Sequence, residues 1–116
     1  MDKNINILII EDNEADKDYI EELLSEHSHD KYNLIWRERL NEGIKAYNKN
    51  IDVILLDLSL PDSSGIRTFT NLNTSIDDTP IIVLTGLNSE KIGLECIQKG
   101  AQDYLLKNNV NSEIFT

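Results

Sequence analysis

Four short apolar runs in this chain each end on a polar side chain suited to phosphate or metal chemistry. Ile7-Leu8-Ile9-Ile10 stops at Glu11-Asp12, Val53-Ile54-Leu55-Leu56 at Asp57, Ile81-Ile82-Val83-Leu84 at Thr85, and Tyr104-Leu105-Leu106 at Lys107. As neighbouring parallel strands they would bring these residues to the carboxyl edge of one sheet, where open α/β sheets bind ligands. Three carboxylates there repel one another, and a divalent cation plus a lysine is the simplest way to keep them ionised. Magnesium suits such a set, because it takes oxygen ligands from one or two carboxylates, keeps waters and leaves a position for a phosphate oxygen. On this reading Asp12 and Asp57 are direct side-chain ligands and Glu11 acts through water. The backbone carbonyl of Ser59 reaches the ion from the loop.

With that charge neutralised, one carboxylate can attack phosphorus and form an acyl phosphate. Asp57 is the choice, since it stands alone at a strand end and is followed by Leu58 to Ser64, a loop whose amides can hold phosphate oxygens. Phosphoryl transfer needs mostly positioning and charge stabilisation, which Lys107, the Thr85 hydroxyl and those amides supply. No separate general base is required. Each piece has a plainer role alone: Glu11-Asp12 as a helix cap, Asp57 as a turn residue, Thr85 as a strand exit, Lys107 as a surface lysine. Their joint placement at four strand ends is the argument for chemistry.

The elements that would position them follow from the same pattern. The runs are nearly continuous in Ile, Val and Leu, as strands covered on both faces are. Leu34-Ile35-Trp36 reads as a short second strand. Helical spacing links Ile20, Leu23 and Leu24 after the cap candidates Asp12-Asn13, with Asp16, Asp18, Glu21 and Glu22 toward water. A second helix runs from Leu40 to Tyr47, weakened by Gly43. Pro61 to Gly65 is a turn with cap residues before a helix carrying Ile66, Phe69 and Leu72. Asn88 or Ser89 caps a helix with Ile92, Cys96 and Ile97, ended by Gly100. Right-handed crossovers then place helices on both sides of a parallel sheet.

The motifs Leu8-Ile9-Ile10-Glu11-Asp12-Asn13, Leu56-Asp57-Leu58-Ser59-Leu60-Pro61-Asp62-Ser63-Ser64-Gly65, Pro80 to Gly86 and Gly100 to Lys107 resemble, in order and spacing, the receiver domain of two-component response regulators. That resemblance covers nearly the whole chain. It implies a flavodoxin-like, doubly wound five-stranded parallel sheet in strand order 2-1-3-4-5. It also implies Asp57 as phosphoacceptor, Glu11 and Asp12 as acid pair, Thr85 as switch hydroxyl, Tyr104 as switch aromatic and Lys107 as phosphate-pairing lysine. A histidine kinase or phosphotransfer protein would donate the phosphoryl group, with magnesium as cofactor. The domain would catalyse its own phosphorylation and dephosphorylation without independent turnover. The surface of the fourth helix, fifth strand and fifth helix would pass the signal to an output domain or a second copy. Three positions depart from the family's commonest pattern. Asn108 replaces proline, so a cis bond there would cost about 2.5–4 kcal/mol. Gly86 replaces alanine, and Ser59 occupies a variable position.

Composition narrows the setting. The 116 residues suffice for one domain, 1–116, and not two. A formal charge of −10 opposes contact with nucleic acid and anionic lipid. No apolar run approaches a membrane span, the start lacks the pattern of a secretion signal, and one cysteine fits a reducing compartment, so a cytoplasmic location is expected. A fifth helix has a start signal at Asn111-Ser112 but only Ile114 and Phe115 beyond it, a truncated helix, so the chain is expected to continue or belong to a longer protein. Two alternatives remain open. A small aspartate-nucleophile phosphatase would carry a second aspartate where Ser59 stands, and a cap domain. A docking module without phosphorylation is the other.

Overall fold

Along β1 (Asn4–Ile10), successive side chains turn to opposite faces of a sheet, and both faces are covered. Leu8 and Ile10 join Ile54, Leu56, Phe69, Leu72 and Cys96 in one core; Ile7 and Ile9 join Ile20, Leu55 and Leu84 in another. Burial on both sides leaves little solvent-facing surface over Ile7–Ile10, Val53–Leu56 and Ile81–Leu84, which is why these stretches are unbroken apolar runs. The computed structural model describes residues 4–27, 31–86 and 90–107.

The main sheet contains β1, β2 (Lys31–Arg37), β3 (Val53–Asp57), β4 (Ile81–Thr85) and β5 (Asp103–Leu106). All pairs are parallel and the order is 2-1-3-4-5, the doubly wound arrangement that the resemblance implied. Ile20 and Leu24 of α1 (Glu14–His27) cover one face; α2 (Leu40–Ala46), α3 (Ile66–Ser75) and α4 (Glu90–Gln98) cover the other. The truncated fifth helix, Asn108 and the cap candidates Asn88 and Ser89 lie outside the described residues.

Several local expectations need correction. β2 extends beyond Leu34–Trp36, because every residue from Asn4 to Ile10 pairs with it, including its exposed Lys31, Asn33 and Arg37. The segment after Asp57 is not all loop: Ser59–Leu60 pairs antiparallel with Ser63–Ser64. Neither serine caps α3. Its N-cap is Gly65, held at a φ of 75° that favours glycine, while Ser63 Oγ bonds Thr68 Oγ1 at 2.8 Å. Asp62 instead caps α2 from across the fold, its two oxygens accepting from the amides of Leu40 (2.8 Å) and Asn41 (3.0 Å). The α2 N-cap residue, Arg39, makes no side-chain cap bond, so Asp62 fills the vacancy. Asn13 does cap α1, accepting from the Asp16 amide at 3.0 Å. Gly100 ends α4 at a φ of 119°, as anticipated.

Gly43 is more than a weak helix former. It lies buried against Ile10, and a Cβ there would sit 2.6 Å from Ile10 Cγ1. Gly43→Ala should therefore destabilise by about 1–3 kcal/mol despite alanine's better helix propensity, because fully buried Ile10 must shift. Urea unfolding checks the sign. For Asp62, partial burial pushes the carboxyl up, but the Asn41 and Leu40 amides outweigh it and hold it below the ordinary 3.8. A depressed carboxylate stabilises above its unfolded value and loses that effect as the pH falls. Asp62→Ala should thus cost about 1 kcal/mol at neutral pH, with the gap to wild type narrowing below about pH 3.8 in parallel melts.

Candidate functional site

Strand register sets the site. Ile10 pairs with Leu56, Asp57 with Leu84, and Thr85 with Leu106, so Glu11 and Asp57 end level, Thr85 lies one residue further and Lys107 two, all at one edge. Glu11 is fully buried and Asp57 4% exposed. Both backbone groups of Glu11 are held, its amide donating to the Arg37 carbonyl at 3.0 Å and its carbonyl accepting from Trp36 Nε1 at 2.7 Å. Asp12 stays exposed. Carboxylate oxygens of Glu11, Asp12 and Asp57 all lie within 4.8 Å of one another.

The Lys107 ammonium lies 3.2 Å from Asp57 Oδ2, 3.0 Å from Glu11 Oε1 and 2.8 Å from Asp16 Oδ2. The other Asp57 oxygen, Oδ1, accepts from the Ser59 amide at 3.0 Å. The contact to Glu11 is close but not aligned as a hydrogen bond, leaving the buried Oε1 without a directed donor among the described residues. Burial first, then the adjacent Asp57, push the Glu11 carboxyl up to about 9 against the pull of Lys107. Burial alone would lower Lys107, but Asp16, Asp57 and Glu11 outweigh it and hold the ammonium above its usual range.

Thr85 is buried at the same edge, its hydroxyl donating to the Leu105 carbonyl at 3.4 Å. Tyr104 packs half-buried on α4. Its hydroxyl donates to Glu90 Oε1 at 3.1 Å, and its ring fills the space that a side chain on Gly93 would take. The roomier clefts lie elsewhere, one of about 490 Å³ beside Trp36 and α2, the other of about 840 Å³ beside the Ser59–Ser64 hairpin. Converging charge, rather than volume, marks this edge.

A model of the response regulator receiver domain matches residues 7–116. The chain belongs to that family. The cell cycle response regulator CtrA of Brucella ovis is 36% identical over 106 residues, covering 89% of this chain and 44% of that protein. The chain thus spans less than half the length of the curated relatives it matches. The non-phosphorylated HemR receiver domain from Leptospira biflexa is 28% identical with a TM-score of 0.72, over 89% of this chain and 82% of that one. The phosphorylated cyanobacterial phytochrome response regulator RcpA is 23% identical with a TM-score of 0.77, over 97% and 87%, a likeness of fold.

In this receiver domain, Glu11, Asp57 and Lys107 touch or nearly touch, with Asp12 beside them and Thr85 at the same edge. Tyr104 stands on β5 against α4 instead. Asp16, assigned to the solvent face of α1 from its spacing, in fact makes the shortest contact to Lys107. The available signal was position: the first turn of a helix that starts directly after β1 overhangs the strand ends. Trp36 packs into the structure, its indole under the Lys17 ammonium at 4.7 Å from the ring centre.

Glu11 sets a pH dependence. Its folded pKa lies above the unfolded 4.5, so its contribution to stability is whole below that value and declines as pH rises toward 9. In chelator-treated protein at pH 8, Glu11→Gln should melt higher than wild type by at least about 4 °C, the shift that 1 kcal/mol gives a domain this size. The difference should shrink in melts near pH 4.5.

Proposed function

We propose that Asp57 accepts a phosphoryl group from a phosphohistidine on a histidine kinase or phosphotransfer protein, in a magnesium-dependent reaction. The observation supporting this is the dressing of one buried carboxylate, with the Ser59 amide on Oδ1, the Lys107 ammonium on Oδ2 and two further acids alongside. An Asp57 oxygen attacks phosphorus as the phosphorus–nitrogen bond breaks, and that electron pair leaves on the imidazole. Lys107 and the Ser59 amide face the charge on the transferred group, and burial limits the water around it.

The donor set fits a hard divalent cation, because Glu11 Oε1 is buried without an aligned donor and three carboxylates meet there. Asp12, Asp57 and the Ser59 carbonyl would hold it, Glu11 through water, and it would neutralise charge on the phosphoryl oxygens. Thr85 would then turn from Leu105 toward the phosphoryl group, and Tyr104 would rearrange against α4. Leu94 and Ile97 on α4 and Leu105 on β5 are exposed, which supports this face as the contact for an output domain or a second copy. A cytoplasmic setting belongs to the same reading. Among the described residues no helix is long and apolar enough to cross a membrane.

Incubation with acetyl phosphate and magnesium should add one phosphoryl mass in intact-protein mass spectrometry. Asp57→Asn or chelation should abolish it, and labelling that survives Asp57→Asn would overturn the assignment.

A further inference from the structure

Lys107 is shared among three carboxylates, and they are not equivalent. Glu11 and Asp57 are buried on the strand ends, whereas the Asp16 side chain is 40% exposed and yet makes the shortest contact, 2.8 Å. A lysine ammonium has three donors. A phosphoryl group on Asp57 adds negative charge beside Asp16 and takes a share of those donors. The partner released at least cost is the one that water can solvate, since freeing a buried carboxylate leaves it uncompensated. Only Asp16 meets that condition. A cleft of about 40 Å³ lined by Asp16, Tyr19, Ile20, Leu84 and Lys107 opens beside the pair. That is room for about one water, which occupies roughly 30 Å³. The Asp16 backbone is meanwhile held by its N–H, which donates to Asn13 Oδ1 at 3.0 Å, so the carboxylate stays within reach.

We infer that Asp16 is a positioning residue: the counter-ion that Lys107 holds in the unphosphorylated domain and exchanges for the phosphoryl group. Its charge opposes the phosphorylated state, and so sets how much donor is needed to fill it. The inference rests on Asp57 being the phosphoacceptor. It differs from a structural role for Asp16, which would make its removal harmful rather than favourable.

The test is binding of beryllium fluoride, a non-covalent phosphoryl mimic, in excess magnesium, read by fluorescence of the sole tryptophan, Trp36, and by calorimetry. At low salt, Asp16→Asn should bind about two- to fivefold more tightly than wild type, the factor an exposed ion pair is worth. The gain should vanish at high salt, where such a pair is screened. Asp16→Glu, which keeps the charge, should stay close to wild type. Equal or weaker binding by Asp16→Asn, or equal tightening by Asp16→Glu, would overturn the counter-ion role while leaving Asp57 in place. Absence of any binding by the wild type would remove the phosphoacceptor reading and this inference with it.

Discussion

One ammonium serves three carboxylates at the carboxyl edge of this sheet, and that shortage of positive charge organises the site. Lys107 lies within 3.2 Å of Glu11, Asp16 and Asp57, and a fourth acid, Asp12, sits close by. In water such a cluster would be unremarkable. Here Glu11 and Asp57 are buried, where like charges are poorly screened and each unpaired charge is costly. The domain therefore carries an edge that a proton, a cation or a rearranged lysine must complete. That incompleteness lets a small charge event at Asp57 be felt by every neighbour.

Keeping the edge in this condition depends on the apolar runs behind it. A one-residue slip of β3 against β1 would send Asp57 to the opposite face and Leu56 to the edge. The slip is opposed on both sides at once, since Leu56 packs with Phe69 and Leu72 on one face and Leu55 with Ile9 and Ile20 on the other. Two cores clamp one register. The strain of gathered acids is thus borne by hydrophobic burial that takes no part in the chemistry.

The same clamping explains which features could be read from the chain. Strands buried on both faces leave unbroken Ile, Val and Leu runs, and parallel pairing aligns their ends, so Glu11, Asp57, Thr85 and Lys107 were visible as terminal residues. What escaped was tertiary in origin. Asp62 sits in a turn next to α3 and looks like its cap, yet it caps α2, which only the folded chain brings near. Gly43 looks like a flaw in a helix until Ile10 is seen against it. Asp16 falls on the polar side of α1 by periodicity, but a helix that begins at the sheet edge points part of that side at the site. The polar ends of β2 were missed because an edge strand pairs through its backbone, whatever its side chains.

β5 links the edge to the far surface. Lys107 leaves its end, Thr85 bonds the carbonyl of Leu105 within it, and Tyr104 one residue earlier is tied to Glu90 of α4. These contacts fall within four consecutive residues, three in β5 and one just after it, and among the described residues this marginal strand pairs on one side only, with β4. A marginal strand can shift without breaking the ladder of the central three. A change in the partner of Thr85 or Lys107 therefore has a short, mechanically weak element to act on, and Leu105 exposes its side chain from that same element. Under the proposed function, two arrangements of such a strand, differing by which oxygen holds Thr85 and Lys107, would carry a local charge change to the α4 and β5 surface.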